Sequence, residues 1–150
     1  MLLLPHRSLL AIAAVVDIAT HSRPRPVAAK MLAARQQLPP RHLETLLQAL
    51  VHANILKGVR GPLGGYELAR ERRRISVADI VRAANDKPDD NDDGAGDASG
   101  LVDKVIAPLI AEAGAEFLQK MDQVSVHDLC AKAVAEGVYA DPDGENNFHI

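Results

Sequence analysis

Leu43, Leu46, Leu47, Leu50 and Val51 fall at i, i+3, i+4, i+7 and i+8 within residues 40–54, PRHLETLLQALVHAN. That spacing makes one side of a helix apolar, the stripe that a core requires. Arg41, His42, Glu44, Thr45 and Gln48 lie off the stripe. The helix therefore shows water, or a partner, a face made of hydrogen-bond donors and acceptors. Upstream, HRSLLAIAAVVDIAT (residues 6–20) predicts a helix that is apolar because it is buried. A breaker-rich link, HSRPRP, follows it. Pro26 then opens a second predicted helix, VAAKMLAARQQ, because proline is accommodated in a first helical turn; Pro39 and Pro40 open the third.

After Asn54 the pattern changes. ILKGVR predicts a short strand, GPLGG a turn and YELA the return strand. The glycines do not form a phosphate cradle, which would set them between a strand and a helix N-terminus; here they lead into another extended segment. RERRR is a basic loop. Ser76 with Asp79 makes a capping-box-like start for a helix through Ala84. Residues 86–100, DKPDDNDDGAGDASG, have the composition of a flexible acidic linker. Their D-D-N-D-D-G matches the first half of a calcium loop, but Gly100 stands where the pattern needs a glutamate. Residues 101–123 are apolar at helical spacing through Leu101, Val105, Leu109, Phe117 and Met121, with Pro108 expected to bend or restart the helix. Ser125 and Asp128 cap a last short helix, and a poorly ordered tail is expected from Tyr139.

Composition narrows the function class. A chain of 150 residues with no Trp, two Tyr and two Phe favours helix packing over a β-sandwich. No run reaches the roughly 18–20 apolar residues that span a bilayer, and the apolar start lacks a basic n-region and a cleavage site, so a cytoplasmic protein without membrane contact is expected. Residues 1–85 carry 13 Lys/Arg against 5 Asp/Glu, a balance of +8, whereas residues 86–150 carry 4 against 15, a balance of −11. The basic half points to a polyanion partner. No catalytic constellation or cofactor loop is present, so no enzyme is expected.

Two helices, a polar-faced third helix and a glycine-tipped hairpin are the order of a winged helix-turn-helix: mainly α, with a small β-hairpin wing. The polar face of the third helix would enter the major groove, where Arg and Gln pair with purines. Gly61, Gly64 and Gly65 keep the tip thin, Tyr66 closes it, and Arg60 is placed for the negative potential of the minor groove. Arg70, Arg72, Arg73 and Arg74 are expected to meet phosphates.

The stretch LPPRHLETLLQALVHANILKGVRGPLGGYELARERRRISVADIVRAAN, residues 38–85, resembles the Rrf-two family (Rrf2) of bacterial transcriptional regulators. Its most specific part is RGPxGGYxLA followed by an IS-x-x-DI helix. The resemblance implies a homodimer on a double-stranded DNA operator, usually repressing, with a long C-terminal helix crossing between subunits. It carries base reading to Glu44 and minor-groove insertion to Arg60; Arg41, His42, Thr45 and Gln48 follow from the exposed face. Thr45 replaces a longer amide and Gly58 a common wing serine, so a different operator is expected. The implied organisation is a DNA-binding domain over 1–85, the linker over 86–100, C-terminal dimerisation helices over 101–137 and the tail over 138–150.

Many members carry three cysteines between the wing domain and the long helix, and these hold an iron–sulfur cluster. Here that interval has none, so neither a cofactor nor a metal is expected. His6 lies on the helix from which this family occasionally draws a ligand, but it stands without thiolates. Cys130, the sole cysteine, reads either as a small buried hydrophobe or as a redox switch, which would make the protein a thiol-based sensor. The competing reading for the whole chain is a winged helix that binds protein. An effector, small molecule or protein, is not identified by the sequence.

Overall fold

A computed structural model describes residues 4–85 and 99–139. The acidic segment with its partial calcium pattern, up to residue 98, and the tail from residue 140 lie outside the described residues. The elements run α1 (His6–His21), α2 (Ala29–Gln36), α3 (Pro40–His52), β1 (Leu56–Val59), β2 (Gly65–Leu68), α4 (Val77–Asn85), α5 (Ala107–Asp122) and α6 (Val126–Ala135). This is the mainly helical winged helix-turn-helix with a two-stranded hairpin that the pattern predicts.

α1 forms the centre. Ala11, Ala14, Val15 and Ile18 are fully buried against Leu32, Leu43, Leu46, Leu47 and Leu50 of α2 and α3. The α3 stripe behaves as its spacing requires, except that Val51 is 37% exposed at its end. α2 begins at Ala29 rather than behind Pro26, because Val27 is used as strand. Its N–H donates to the Tyr66 carbonyl at 2.9 Å and its carbonyl accepts from the Tyr66 N–H at 2.8 Å. Such close pairing needs Gly65, where a Cβ would land on the Val27 carbonyl. The hairpin is in register Leu56 with Leu68 and Lys57 with Glu67, and the latter pair forms a 3.1 Å ion pair.

The C-terminal half returns to this core. Ser76 and Asp79 exchange both capping bonds at the start of α4, at 3.0 and 3.1 Å. Ser125 and Asp128 do the same at the start of α6, at 3.1 and 2.9 Å. The two starts pair with each other: the Val77 N–H donates to Val124 O and the Val126 N–H to Ile75 O, at 2.8 and 2.9 Å. Arg82 grips Asp122, the last residue of α5, through both guanidinium ends. Val126 and Cys130 of α6 are buried against α1. The helix preceding α5 contains a π-helical turn over Val102–Ile106, and Pro108 sits in the first turn of α5. Proline has no N–H to give, and a wide turn accommodates that without stopping the helix.

Asp17 is fully buried in α1. Arg35 Nε lies 3.1 Å from both of its carboxylate oxygens and Arg35 Nη2 2.8 Å from one. Gln36 Nε2 donates to it at 2.9 Å and the Tyr139 hydroxyl at 3.3 Å. His21 stands 3.4 Å away, with its ring edge-to-face with Tyr139. Tyr139, expected to begin a poorly ordered tail, is therefore held in place. Burial raises the Asp17 carboxyl, but the bonds from Arg35 and Gln36 and the nearby cations outweigh it and hold the group below its ordinary value. A depressed folded pKa means that ionised Asp17 stabilises the fold at neutral pH. That contribution fades as pH falls below about 4 through the folded pKa. Replacing Arg35 by Met leaves the carboxylate buried without its cation, and urea unfolding at pH 7 should show a loss of about 3 kcal/mol. At pH 3 the same comparison should show a smaller loss.

Candidate nucleic-acid interface

The turn from α2 to α3 is three residues long, and Gln37 adopts the left-handed conformation there, with φ 53°. Its N–H donates back to Ala34 O at 3.4 Å and that of Leu38 to Ala33 O at 3.0 Å, which closes the last turn of α2. The direction of α3 is thus fixed by the chain as well as by its leucines. Arg41, His42, Glu44, Thr45 and Gln48 are all exposed. Leu43, Leu46, Leu47 and Leu50 point the other way and are at most 2% exposed. The face carries one anion, Glu44, among groups that donate or accept hydrogen bonds.

The wing projects Arg60 into solvent. Gly61 has φ +115°, a conformation other residues rarely adopt, and its carbonyl accepts from the Gly64 N–H at 2.9 Å to close the tip. Gly64 and Gly65, expected to keep the tip thin so that backbone can approach backbone, sit where protein backbone comes close: a Cβ at Gly64 would strike Val59 O, and one at Gly65 would strike Val27 O. Tyr66 is half-buried and packs on the core. It also lines a groove of about 370 Å³ between α3 and the hairpin, together with Gln48, Val51, His52 and Gly58. His52 was not among the residues singled out from the sequence, although it follows Gln48 by four positions and so shares its face.

The basic loop follows the hairpin, as expected. Arg72–Arg74 form a short 3-10 turn at the foot of the hairpin, against α6, and not at the tip. Arg70 is engaged within the protein: its Nε donates to Asn54 O at 3.2 Å, and it lies 3.8 Å from Asp79. Helix-turn-helix proteins present the N-terminal part of the reading helix to the groove, and Asn54 is beyond the other end.

Cys130 is 6% exposed and lies 3.8 Å from the Thr20 hydroxyl of α1. Oxidation and thiolate chemistry need access, so this position suits a packing role. His6 is exposed at the first turn of α1. Among the described residues, no three of His, Cys, Asp and Glu converge as metal ligands would. No described helix is long and apolar enough to cross a membrane.

A second surface stands apart from the first. On the helix leading into and through α5, Leu101, Val102, Val105, Ile106, Leu109 and Ile110 are 41–63% exposed. They recur at i, i+1, i+4, i+5, i+8 and i+9, one continuous apolar stripe facing solvent in the single chain.

Comparison with known proteins places this arrangement. The family model Rrf2, described as an iron-dependent transcriptional regulator, matches residues 4–132. The HTH-type transcriptional regulator IscR of Xenorhabdus nematophila is 37% identical over 79 residues, 53% of this chain and 48% of that protein. IscR of Vibrio cholerae is 34% identical over 91 residues, covering 60% and 53%. The chain thus spans about half the length of the curated relatives it matches. Among solved structures, IscR of T. potens is 29% identical with a TM-score of 0.66, over 95% of each chain. CymR, the global cysteine regulator of B. subtilis, is 22% identical with a TM-score of 0.64 over 88% of this chain and 98% of that one, a likeness of fold. With the model matching nearly the whole described chain, the protein belongs to the Rrf2 family of transcriptional regulators.

Proposed function

We propose that the protein is a sequence-specific DNA-binding regulator that represses as a homodimer and works without an iron–sulfur cluster. The observation that carries the reading is the division of α3. Its leucines are buried, while Arg41, His42, Glu44, Thr45 and Gln48 are all exposed, beside a wing whose tip displays Arg60. In the major groove, Glu44 accepts from a cytosine amino group, Gln48 pairs with adenine, and Arg41 donates to guanine. Thr45 and His42 complete the reading face. Arg60 enters the adjacent minor groove, where the potential is most negative. Repression needs nothing beyond occupancy of the operator.

The exposed stripe from Leu101 to Ile110 supports the dimer. Two copies packed along α5 remove these side chains from water, and a two-fold pair of α3 helices reads half-sites about 34 Å apart. The donor set does not fit the cluster that the family description suggests. One cysteine per chain, buried against α1, cannot supply the thiolates that hold such a group, and no step of this mechanism passes through iron. Binding to protein alone, the competing reading, leaves the +8 balance of residues 1–85 without a role.

Titration of the protein against DNA from its own promoter region tests the proposal. Arg60→Ala should weaken specific binding about tenfold or more, and equal affinity for operator and unrelated DNA in the parent protein would sink it. Leu109→Glu with Ile110→Glu should give a monomer in sedimentation, with operator affinity lowered and the melting temperature of the winged domain little changed. Protein purified without oxygen should be colourless and free of iron and sulfide, and a brown protein would show that other ligands hold a cluster.

A further inference from the structure

The chain before α2 is a proline-rich link in sequence, yet it lies beside the wing. A groove of about 320 Å³ runs between His21, Arg23, Arg25 and Arg35 on one side and Pro62 and Leu63 of the wing tip on the other. Among the described residues, none that lines it is acidic. Arg35 is turned inward to Asp17. Arg23 and Arg25 are exposed, and among the described residues neither pairs with a carboxylate. The same loop leads into α2, whose N-cap is Ala28, with no side chain to accept from its first amides. Lys30 is exposed in that first turn. Arg23 and Arg25 thus stand beside the first turn of α2 at the side of the tip away from β1, an arrangement suited to a phosphate group.

We propose that Arg23 and Arg25 seat the sugar–phosphate strand that borders the minor groove entered by the wing, as a second, sequence-independent clamp. The inference rests on the DNA-binding reading above and names further residues of that interface. Its occupant follows from charge and continuity. The groove is cationic, and Pro62 and Leu63 belong to the same tip that carries Arg60. A backbone strand flanking Arg60 would pass within reach of an extended arginine on this loop. The two arginines hold their strand by charge and read no base. They set how strongly the protein grips any duplex, while α3 sets which duplex it prefers.

The test is affinity as a function of salt, measured by fluorescence anisotropy on an operator duplex and on an unrelated duplex of equal length. Each phosphate neutralised contributes about 0.9 to the slope of log Kobs against log salt. Arg23→Ser with Arg25→Ser should lower the magnitude of that slope by about 2. It should weaken both duplexes by a similar factor, about tenfold or more at physiological salt, and leave their ratio unchanged. Arg23→Lys with Arg25→Lys should keep the slope. Thermal unfolding and sedimentation of both variants should match the parent, because the loop is exposed. A parent protein that binds its operator, paired with a serine variant of unchanged slope, overturns this inference alone. A serine variant that loses only the preference for operator overturns it too, since that is base reading. A parent that binds no DNA overturns both readings.

Discussion

A single carboxylate sets the arrangement of the winged domain. Asp17 has no access to water, and a buried charge must be met on every side. Arg35 and Gln36 meet it from the last turn of α2, and Tyr139 meets it from beyond α6. The consequence is geometric more than energetic, because a buried ion pair contributes little net stability over well-packed apolar groups. What it fixes is the rotation and height of α2 on α1. A three-residue turn then hands that placement to α3, so the exposed residues of α3 inherit their position from a contact on the far side of α2.

The molecule separates its two unsatisfied surfaces. The polar face of α3 and the wing tip are built on the winged core, with leucines behind them and glycines where strands must approach closely. The apolar stripe from Leu101 to Ile110 sits on a helix tied to that core at its C-terminal end, through Asp122 and the paired starts of α4 and α6. One surface is polar and lies on the basic half of the chain, and the other is apolar and exposed. The charge division along the chain mirrors this, with the basic excess confined to the half that carries the wing.

Most of this was legible in the chain because its signals are local. The i, i+3, i+4 leucines of α3, the two Ser–x–x–Asp caps and the glycine-tipped hairpin each depend on residues within a turn or two of one another. What escaped reading depends on distant partners. Nothing near Val27 announces that Tyr66 will recruit it as strand and delay α2 to Ala29. Tyr139 resembles the start of a polar tail until Asp17, Gln36 and His21 are brought to it. Arg72–Arg74 follow the wing in sequence, and only the fold sets them against α6. Arg23 and Arg25 were hidden between prolines, which mark a link without saying what it passes.

The grip of Arg82 on Asp122 has a mechanical side. From residue 100 to Asp122 the helix runs unbroken, π-helical turn included, so it measures roughly 35 Å at 1.5 Å per residue. In the single chain it is held at one end and is bare of packing along most of its length. It is therefore a lever with its fulcrum at a solvent-exposed ion pair: a pivot of about 5° there carries the far end about 3 Å. Movements too small to disturb the winged core are magnified at Leu101, and displacements imposed on that end return to the core reduced in size but multiplied in force.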